Sequence, residues 1–296
     1  MVKFPGVYVA IVTPFTKDFE VDYERLHEHV DWLIQEGVDG IIPTGSLGEY
    51  ATLTMEERAK VIETTIRAAA GRVPVVVGTA APSTKQVVQW AEFSREKGAA
   101  GGMALPPINY LPREEEVIAH YEAVARAGLP VIVYNNPRDY PVDLTPDRLN
   151  RLSKIENIVA VKEFSGDVRR VHDIVRETDL EVLIGVDDLV VEGVLAGATG
   201  WIGGLQNALP KESVEVYRLA ASGQVKEAYE VYRYLLPLFH FDASPQLVQA
   251  IKLTMEFAGR SAGPTRPPRL PLSEQEREKL RAAYEYAVNR PLKALS

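Results

Sequence analysis

The sequence predicts a (β/α)8 barrel followed by a C-terminal helical extension. Three observations carry this. Eight short apolar runs recur along the chain, at residues 7–12, 40–43, 73–78, 101–105, 131–134, 158–164, 182–186 and 200–203, with helical patterns between them. Strands that alternate with helices pair in parallel, because parallel neighbours cannot be joined by a tight hairpin. The eight strand–helix pairs end near residue 222, compact against the ~250 residues usual for a closed barrel, and the rest of the 296 reads as helix alone. A doubly wound open sheet is the competing fold. It loses support in its nucleotide-binding form, because no G-x-G-x-x-G follows the first run.

The elements follow in order. After the first run, apolar residues repeat at Leu26, Val30, Leu33 and Ile34, and this helix stops before Gly37. Thr54 with Glu57 forms a capping box for the second helix, and Ser83 with Gln86 another for the third. Thr145 before Pro146 is an N-cap with proline at the first helical position. The eighth run closes near residue 203 and its helix near 222. Residues 225–239, 246–257 and 273–287 then read as three helices, the last opened by Ser273 with Glu276. Prolines 264, 267, 268 and 271 mark an extended linker before it. The division expected is a barrel over residues 1–222 and a helical appendix packed on it over residues 223–296.

Composition narrows the function. Apolar content of 46% and charged content of 25% are those of a soluble globular protein. No apolar run is long enough to span a membrane, and the N-terminus has no signal-peptide pattern, so the expected location is the cytoplasm. The absence of cysteine excludes disulfides, thiolate nucleophiles and zinc–cysteine sites. The net charge of −8 argues against nucleic acid and anionic membranes, yet leaves room for a locally positive site that takes an anion. His27, His29, His120, His172 and His240 are scattered without HExxH spacing, so no metal site is expected.

In such a barrel the chemistry sits where strands end on the C-terminal face. Lys162 lies in the apolar run Ile158-Val159-Ala160-Val161-Lys162-Glu163-Phe164. Burial there disfavours the ammonium form and makes a neutral, nucleophilic amine available for a Schiff base. The alternative for a lone lysine is a strand-end position reaching water or pairing with Glu163. The turn Pro43-Thr44-Gly45-Ser46-Leu47-Gly48-Glu49 offers backbone N–H groups and the Ser46 hydroxyl to a carboxylate, or is an ordinary β–α turn. Tyr134, in Tyr134-Asn135-Asn136-Pro137, places a phenol at a strand terminus, either to shuttle protons or as a core tyrosine. The glycines of Gly200-Trp201-Ile202-Gly203-Gly204 leave room for a substrate.

Together these segments resemble the dihydrodipicolinate synthase / N-acetylneuraminate lyase family of Schiff-base barrels, over nearly the whole chain. Gly45-Ser46-Leu47-Gly48-Glu49 is similar to its carboxylate loop, Tyr134-Asn135-Asn136-Pro137 to its Y-N-x-P, and Val161-Lys162-Glu163 to its Schiff-base segment. Gly185-Val186-Asp187-Asp188 and Gly200-Trp201-Ile202 are similar to its later signatures. The resemblance implies that Lys162 condenses with C2 of a 2-oxo acid or cyclic imine, Tyr134 relays protons, and Ser46 joins them in catalysis. Gly45, Leu47, Gly48, Ile202, Asn109 and Tyr110 are then expected to contact substrate. No cofactor is implied; a homotetramer is.

Within the family the chain departs from the synthase pattern. Asp139 stands where the synthase has an arginine for the second substrate, with Arg138 one place earlier. Asn109 takes the place of a tyrosine lent by a neighbouring subunit, and Leu47 that of a threonine. With the late Arg266-Pro267-Pro268-Arg269-Leu270-Pro271-Leu272 segment, the pattern looks closer to the Δ1-pyrroline-4-hydroxy-2-carboxylate deaminase branch. That reaction combines dehydration with release of ammonia. The alternatives are 4-hydroxy-tetrahydrodipicolinate synthase, which joins pyruvate to aspartate semialdehyde, and an aldolase or dehydratase of a sugar-derived 2-oxo-3-deoxy acid. A barrel that only senses a 2-oxo acid is the reading of another class; the intact Lys162 and Tyr134 argue against it. Roles for Arg113, Arg138, His240 and Asp242 stay open at this point, with helix capping favoured for the last two.

Overall fold

A computed structural model of the protein describes residues 2–241 and 244–290. Eight parallel strands, β1 Gly6–Ala10, β2 Gly40–Ile42, β3 Val76–Gly78, β4 Gly101–Ala104, β5 Val131–Asn135, β6 Ile158–Glu163, β7 Glu181–Ile184 and β8 Gly200–Gly203, form one sheet. β1 pairs with both β2 and β8. The remaining seam between β2 and β3 is joined by the Ile41–Val75 bridge and by the Gly78 N–H, which donates to Pro43 O at 3.0 Å. The sheet thus curls into the expected (β/α)8 barrel. Its helices are α1 Tyr23–Gln35, α2 Met55–Ala69, α3 Thr84–Glu96, α4 Glu114–Ala125, α5 Pro146–Leu152, α6 Arg169–Glu177, α7 Val190–Leu195 and α8 Pro210–Ala221. Three more follow: α9 Val225–Phe239, α10 Leu247–Phe257 and α11 Glu274–Val288.

The caps behave as their chemistry requires. Thr54 and Ser273 both complete the reciprocal bonds of a capping box, with Glu57 and Glu276. Ser83 makes half of one: its hydroxyl accepts from Gln86 N–H but donates to the Gln86 side chain, which therefore does not reach back to the Ser83 amide. Thr145 makes no side-chain cap, and Pro146 alone fixes the start of α5. The first strand ends two residues earlier than its apolar pattern. The amide of Val12 leaves the ladder and donates to Asn207 Oδ1 at 3.1 Å. The third strand is shorter at its start because Pro74 has no N–H to donate; its carbonyl still accepts from Ile41.

Space inside the barrel is set by residue size. Gly40 faces Tyr8 in the β1–β2 register, and a Cβ there would enter the Tyr8 ring. Beyond the barrel, α9 lies on α8 and α11. The Trp201 ring of β8 meets Phe239 of α9 edge-on, with centroids 5.7 Å apart, and Tyr232 donates to Asp188 O at 2.6 Å. None of the described helices is long and apolar enough to cross a membrane.

Candidate active site

The β5–β6 register sets Tyr134 beside Lys162 at the C-terminal ends of their strands. Alternation turns both side chains inward and sends Glu163 the other way. There the Glu163 carboxylate accepts from Asn135 Nδ2 at 2.9 Å and Ser165 N–H at 2.6 Å, and burial pushes its pKa up. Lys162 is 6% exposed. Its Nζ stands 4.6 Å from the centroid of the Tyr134 ring and 5.5 Å from that of Phe164, whose ring meets Tyr134 edge-on. Gly185 makes this placement possible. A Cβ at that position would lie 2.8 Å from Lys162 Cε and 2.9 Å from Phe164 Cδ2.

Behind the lysine is Asp187, fully buried, which accepts from Trp201 Nε1 at 2.9 Å, Leu205 N–H at 3.1 Å and Gly204 N–H at 3.3 Å. Burial raises its carboxyl to about 6, opposed by those bonds and by the Lys162 charge. Gly203 carries no side chain for a steric reason: a Cβ would collide with Asp187 Oδ1 and crowd the Trp201 indole nitrogen.

The loop after β2 is held from both ends. Thr44 takes a left-handed conformation at φ 56°, unusual for a β-branched residue, and its hydroxyl donates to Gly78 O at 2.9 Å. Thr13 Oγ1 donates to Gly48 O at 2.8 Å, and a Cβ on Gly48 would press within 3.1 Å of Ile11 O and Thr44 N. Glu49, also left-handed, is buried against Lys252 Nζ at 2.8 Å and accepts from the Arg266 amide at 3.0 Å. Clamped this way, the loop presents Ser46 and Leu47. Among the described residues, no protein acceptor takes their amides, which are therefore available to a carboxylate.

A cavity of about 320 Å³ gathers these groups. Lys162, Tyr134, Ser46, Gly45 and Leu47 all line it. Gly48, Ile202, Asn109 and Tyr110 do not. Gly48 supports the loop from behind. Ile202 pairs with Tyr8 and is fully buried in the barrel interior, while its neighbours Gly203 and Gly204 reach the cavity. Asn109 lies in the loop after β4 and donates to Pro82 O at 3.2 Å; Tyr110 beside it is 80% exposed. Of the residues left open, Arg138 lines the cavity, and Asp139 beside it does too. Arg113 caps α4 and pairs with Glu116. His240 is exposed at the C-cap of α9, and Asp242 lies outside the described residues.

Sequence reasoning missed several features. Ser244, Pro245 and Leu247 bring the segment before α10 to the cavity wall. No local pattern signals this, since it depends on how the last helices fold back. The Arg266 segment does not touch the cavity. Its guanidinium pairs with Glu57, donates to Phe19 O and Thr52 O, and lies 4.4 Å over the Phe15 ring. The segment straps the loop through Glu49 and Glu57.

Among the described residues, no group of three or more histidines or carboxylates could hold a metal ion. What the cavity offers is an amine, a phenol, a hydroxyl and backbone donors around one small volume. This is the equipment for imine chemistry on a carboxylate-bearing carbonyl.

Comparison with known proteins agrees. The model of the dihydrodipicolinate synthetase family matches residues 3–287. A 4-hydroxy-tetrahydrodipicolinate synthase of Methanosphaerula palustris is 36% identical over 290 residues, covering 95% of this chain and 98% of the relative. The crystal structure of dihydrodipicolinate synthase from Aquifex aeolicus superposes with a TM-score of 0.92 at 34% identity, covering 98% of this chain and all of that one. That of Acinetobacter baumannii, complexed with pyruvate, gives 0.90 at 34% identity, covering 97% and 99%. The chain belongs to the dihydrodipicolinate synthetase family, whose members are lysine Schiff-base lyases.

Proposed function

We propose that Lys162 forms a Schiff base with C2 of pyruvate, and that the enamine adds to an aldehyde bearing its own carboxylate, as in a 4-hydroxy-tetrahydrodipicolinate synthase. The observation that carries this reading is Arg138. Although its place in sequence is shifted by one, its side chain lines the Lys162 cavity, packs over the Phe164 ring at 6.0 Å and donates to Ser165 O. A guanidinium there suits the carboxylate of a second substrate. The curated relatives carry this activity in their names, and one similar structure holds pyruvate.

In this mechanism the pyruvate carboxylate sits on the Ser46 and Leu47 amides and the Ser46 hydroxyl. The Lys162 amine adds to C2, a proton passes from nitrogen to oxygen, and water leaves as the iminium forms. Tyr134, hydrogen-bonded by Asn136 Nδ2 at 3.1 Å, is placed to move protons at C2 and C3. The iminium withdraws the electrons left when C3 loses a proton, and the resulting enamine attacks the aldehyde.

A second reading, Δ1-pyrroline-4-hydroxy-2-carboxylate deamination, is favoured by Asp139, which shares the cavity wall and opposes a second anion, and by the apolar Leu47. One experiment separates the two. Purified protein is given pyruvate with aspartate semialdehyde, and separately the hydroxyproline-derived cyclic imine. Condensation near the ~10 s⁻¹ typical of enzymes is expected. Ammonia release from the imine without condensation would replace the synthase reading with the deaminase.

A further inference from the structure

We infer that a second cavity, between α1 and the end of α10, is a binding site for free hydrogenphosphate. The inference goes beyond the Schiff-base reading of Lys162 and does not depend on it.

This cavity measures about 210 Å³ and shares no lining residue with that of Lys162. Its polar wall is Arg25, Glu28 and His29 of α1 with Arg260, Ser261 and Ala262 of the segment after α10. Gly259, left-handed at φ 77°, turns the chain out of α10, and the Arg260 amide closes the helix on Met255 O at 2.8 Å. The Arg260 guanidinium lies over the Trp32 ring, 4.2 Å from its centroid, so an aromatic face holds it rather than an acceptor. Among the described residues it has no ion pair, and its Nε is buried without a hydrogen-bond partner. The amides of Ser261 and Ala262 also have no protein acceptor among the described residues, although Ala262 is 1% exposed. Buried N–H groups are rarely left unpaired. Two consecutive free amides beside a guanidinium make a seat for an oxyanion. Arg25 brings a second guanidinium, anchored on Ser261 O and Asp22.

His29 supplies an acceptor to the same cavity. Asn207 spends both Nδ2 hydrogens on Ala10 O and Gly204 O, each at 2.9 Å, so its Oδ1 can only accept. That oxygen takes Val12 N–H and His29 Nε2, both at 3.1 Å. His29 therefore carries its hydrogen on Nε2, and Nδ1 keeps a lone pair. Nδ1 has no partner among the described residues. Burial pushes the ring down to about 4, against the Asn207 bond and with the help of the Arg260 charge, so the lone pair persists at neutral pH.

The wall thus offers donors to an oxyanion and an acceptor to a hydrogen that the oxyanion retains. Hydrogenphosphate has both features. Sulfate carries no hydrogen at neutral pH, and a phosphate monoester loses its own above about pH 6. Glu28, exposed on α1, is the one carboxylate in the lining and opposes an anion against two guanidinium groups.

The test is equilibrium dialysis of radiolabelled inorganic phosphate against the full-length protein, at about pH 8, without pyruvate and at fixed ionic strength. One phosphate per chain is expected, half-saturating at or below ~1 mM. Sulfate and methyl phosphate should compete at least ~10-fold more weakly, because each leaves the His29 lone pair unmet. Arg260→Gln should weaken phosphate binding at least ~10-fold, the loss of a charge-assisted bond. Glu28→Gln, at an exposed position, should tighten it about threefold by removing a like charge. No saturable phosphate by ~10 mM overturns the site. Sulfate or methyl phosphate binding as tightly as phosphate also overturns it, as the mark of a plain cationic patch. Unchanged binding in folded Arg260→Gln overturns it by placing the phosphate elsewhere. Should that variant not fold, Glu28→Gln decides, and binding that is unchanged or weaker there overturns the site. Borohydride trapping with pyruvate reports Lys162 separately, so failure of one reading is distinguished from failure of the other.

Discussion

Replacing Lys252 with methionine tests how the last helices govern the carboxylate loop. Lys252 on α10 is 4% exposed and Glu49 1% exposed, so their 2.8 Å contact is a buried ion pair. Burial pushes the lysine down to about 8 against the pull of Glu49, which leaves it mostly charged at pH 7. Lys252 also donates to Pro264 O at 2.8 Å and lies 4.3 Å from the Phe15 ring centroid, tying the linker to the barrel. Deleting one partner of a buried pair costs ~3–5 kcal/mol, because the other charge remains buried. Glu49 keeps the Arg266 amide and has Arg269 at 3.8 Å, so the lower end applies, about 3 kcal/mol. The double variant Lys252→Met with Glu49→Gln removes the stranded charge and should recover at least ~1 kcal/mol of the loss. Urea unfolding of the four proteins of this cycle gives the coupling directly, and half-saturating pyruvate reports the loop. Affinity for pyruvate should weaken in the single variant although Lys252 does not line the cavity. A single variant within ~0.5 kcal/mol of the parent, the scatter of ordinary surface changes, would refute the reasoning.

Lys162→Ala should abolish the pyruvate adduct and keep the fold; an adduct in that variant removes the mechanism. Gly185→Ala puts a methyl within contact-violating distance of Lys162 Cε and of Glu163 O. Turnover should fall ~100-fold through misplacement of the amine, and normal turnover would contradict the packing argument. His29 and Asp187 should oppose each other in acid. Burial holds His29 down at about 4, so the unfolded chain binds its proton first and stability falls as pH drops from about 6.5 to about 4. Asp187 is raised to about 6, so the folded chain binds its proton first and stability rises as pH drops from about 6 to about 4. At ~1.4 kcal/mol per unit each contributes ~3 kcal/mol with opposite sign, and Asp187→Asn should unmask the His29 slope in urea titrations at pH 4–6.5. Sedimentation is expected to give a homo-oligomer, with a tetramer near four times the 32.8 kDa chain. Tyr110 and Leu111, each 80% exposed, are apolar groups suited to a partner. A mass of one chain at all concentrations would exclude this.

Much of the fold was legible because local chemistry and long-range packing agree in it. Val225–Phe239 carries its helical period from end to end, and Thr54–Glu57 and Ser273–Glu276 are capping boxes in sequence and in space. Lys162, Tyr134 and Ser46, expected together from the sequence, line one cavity because barrel strands deliver their C-terminal ends to one face. Which expected residues line the cavity and which do not is decided by side-chain direction. Ile202 was read with its glycines, yet a strand alternates, and the apolar side chain goes to the packed interior while Gly203 opens the cavity. The Arg266 segment enters the sequence reading only as a feature that accompanies one branch of the family. Its guanidinium instead satisfies carbonyls and Glu57 between the linker and α2. Arg138 could not be placed from its sequence position, since a turn of irregular backbone decides whether a guanidinium points in or out.

The acidic balance of the chain and the anionic substrate proposed for it are compatible because the charge is spatially sorted. The lining of the cavity carries Lys162 and Arg138 against a single carboxylate, Asp139. Asp187, outside that lining, accepts from three donors of β8 and the segment after it. Much of the remaining charge is spent in exposed pairs such as Arg176–Asp173 and Arg151–Asp147, which contribute little to stability and nothing to the site. A net −8 surface therefore surrounds a locally positive pocket. The amides of Ser46 and Leu47 add fixed donors that no change of pH removes.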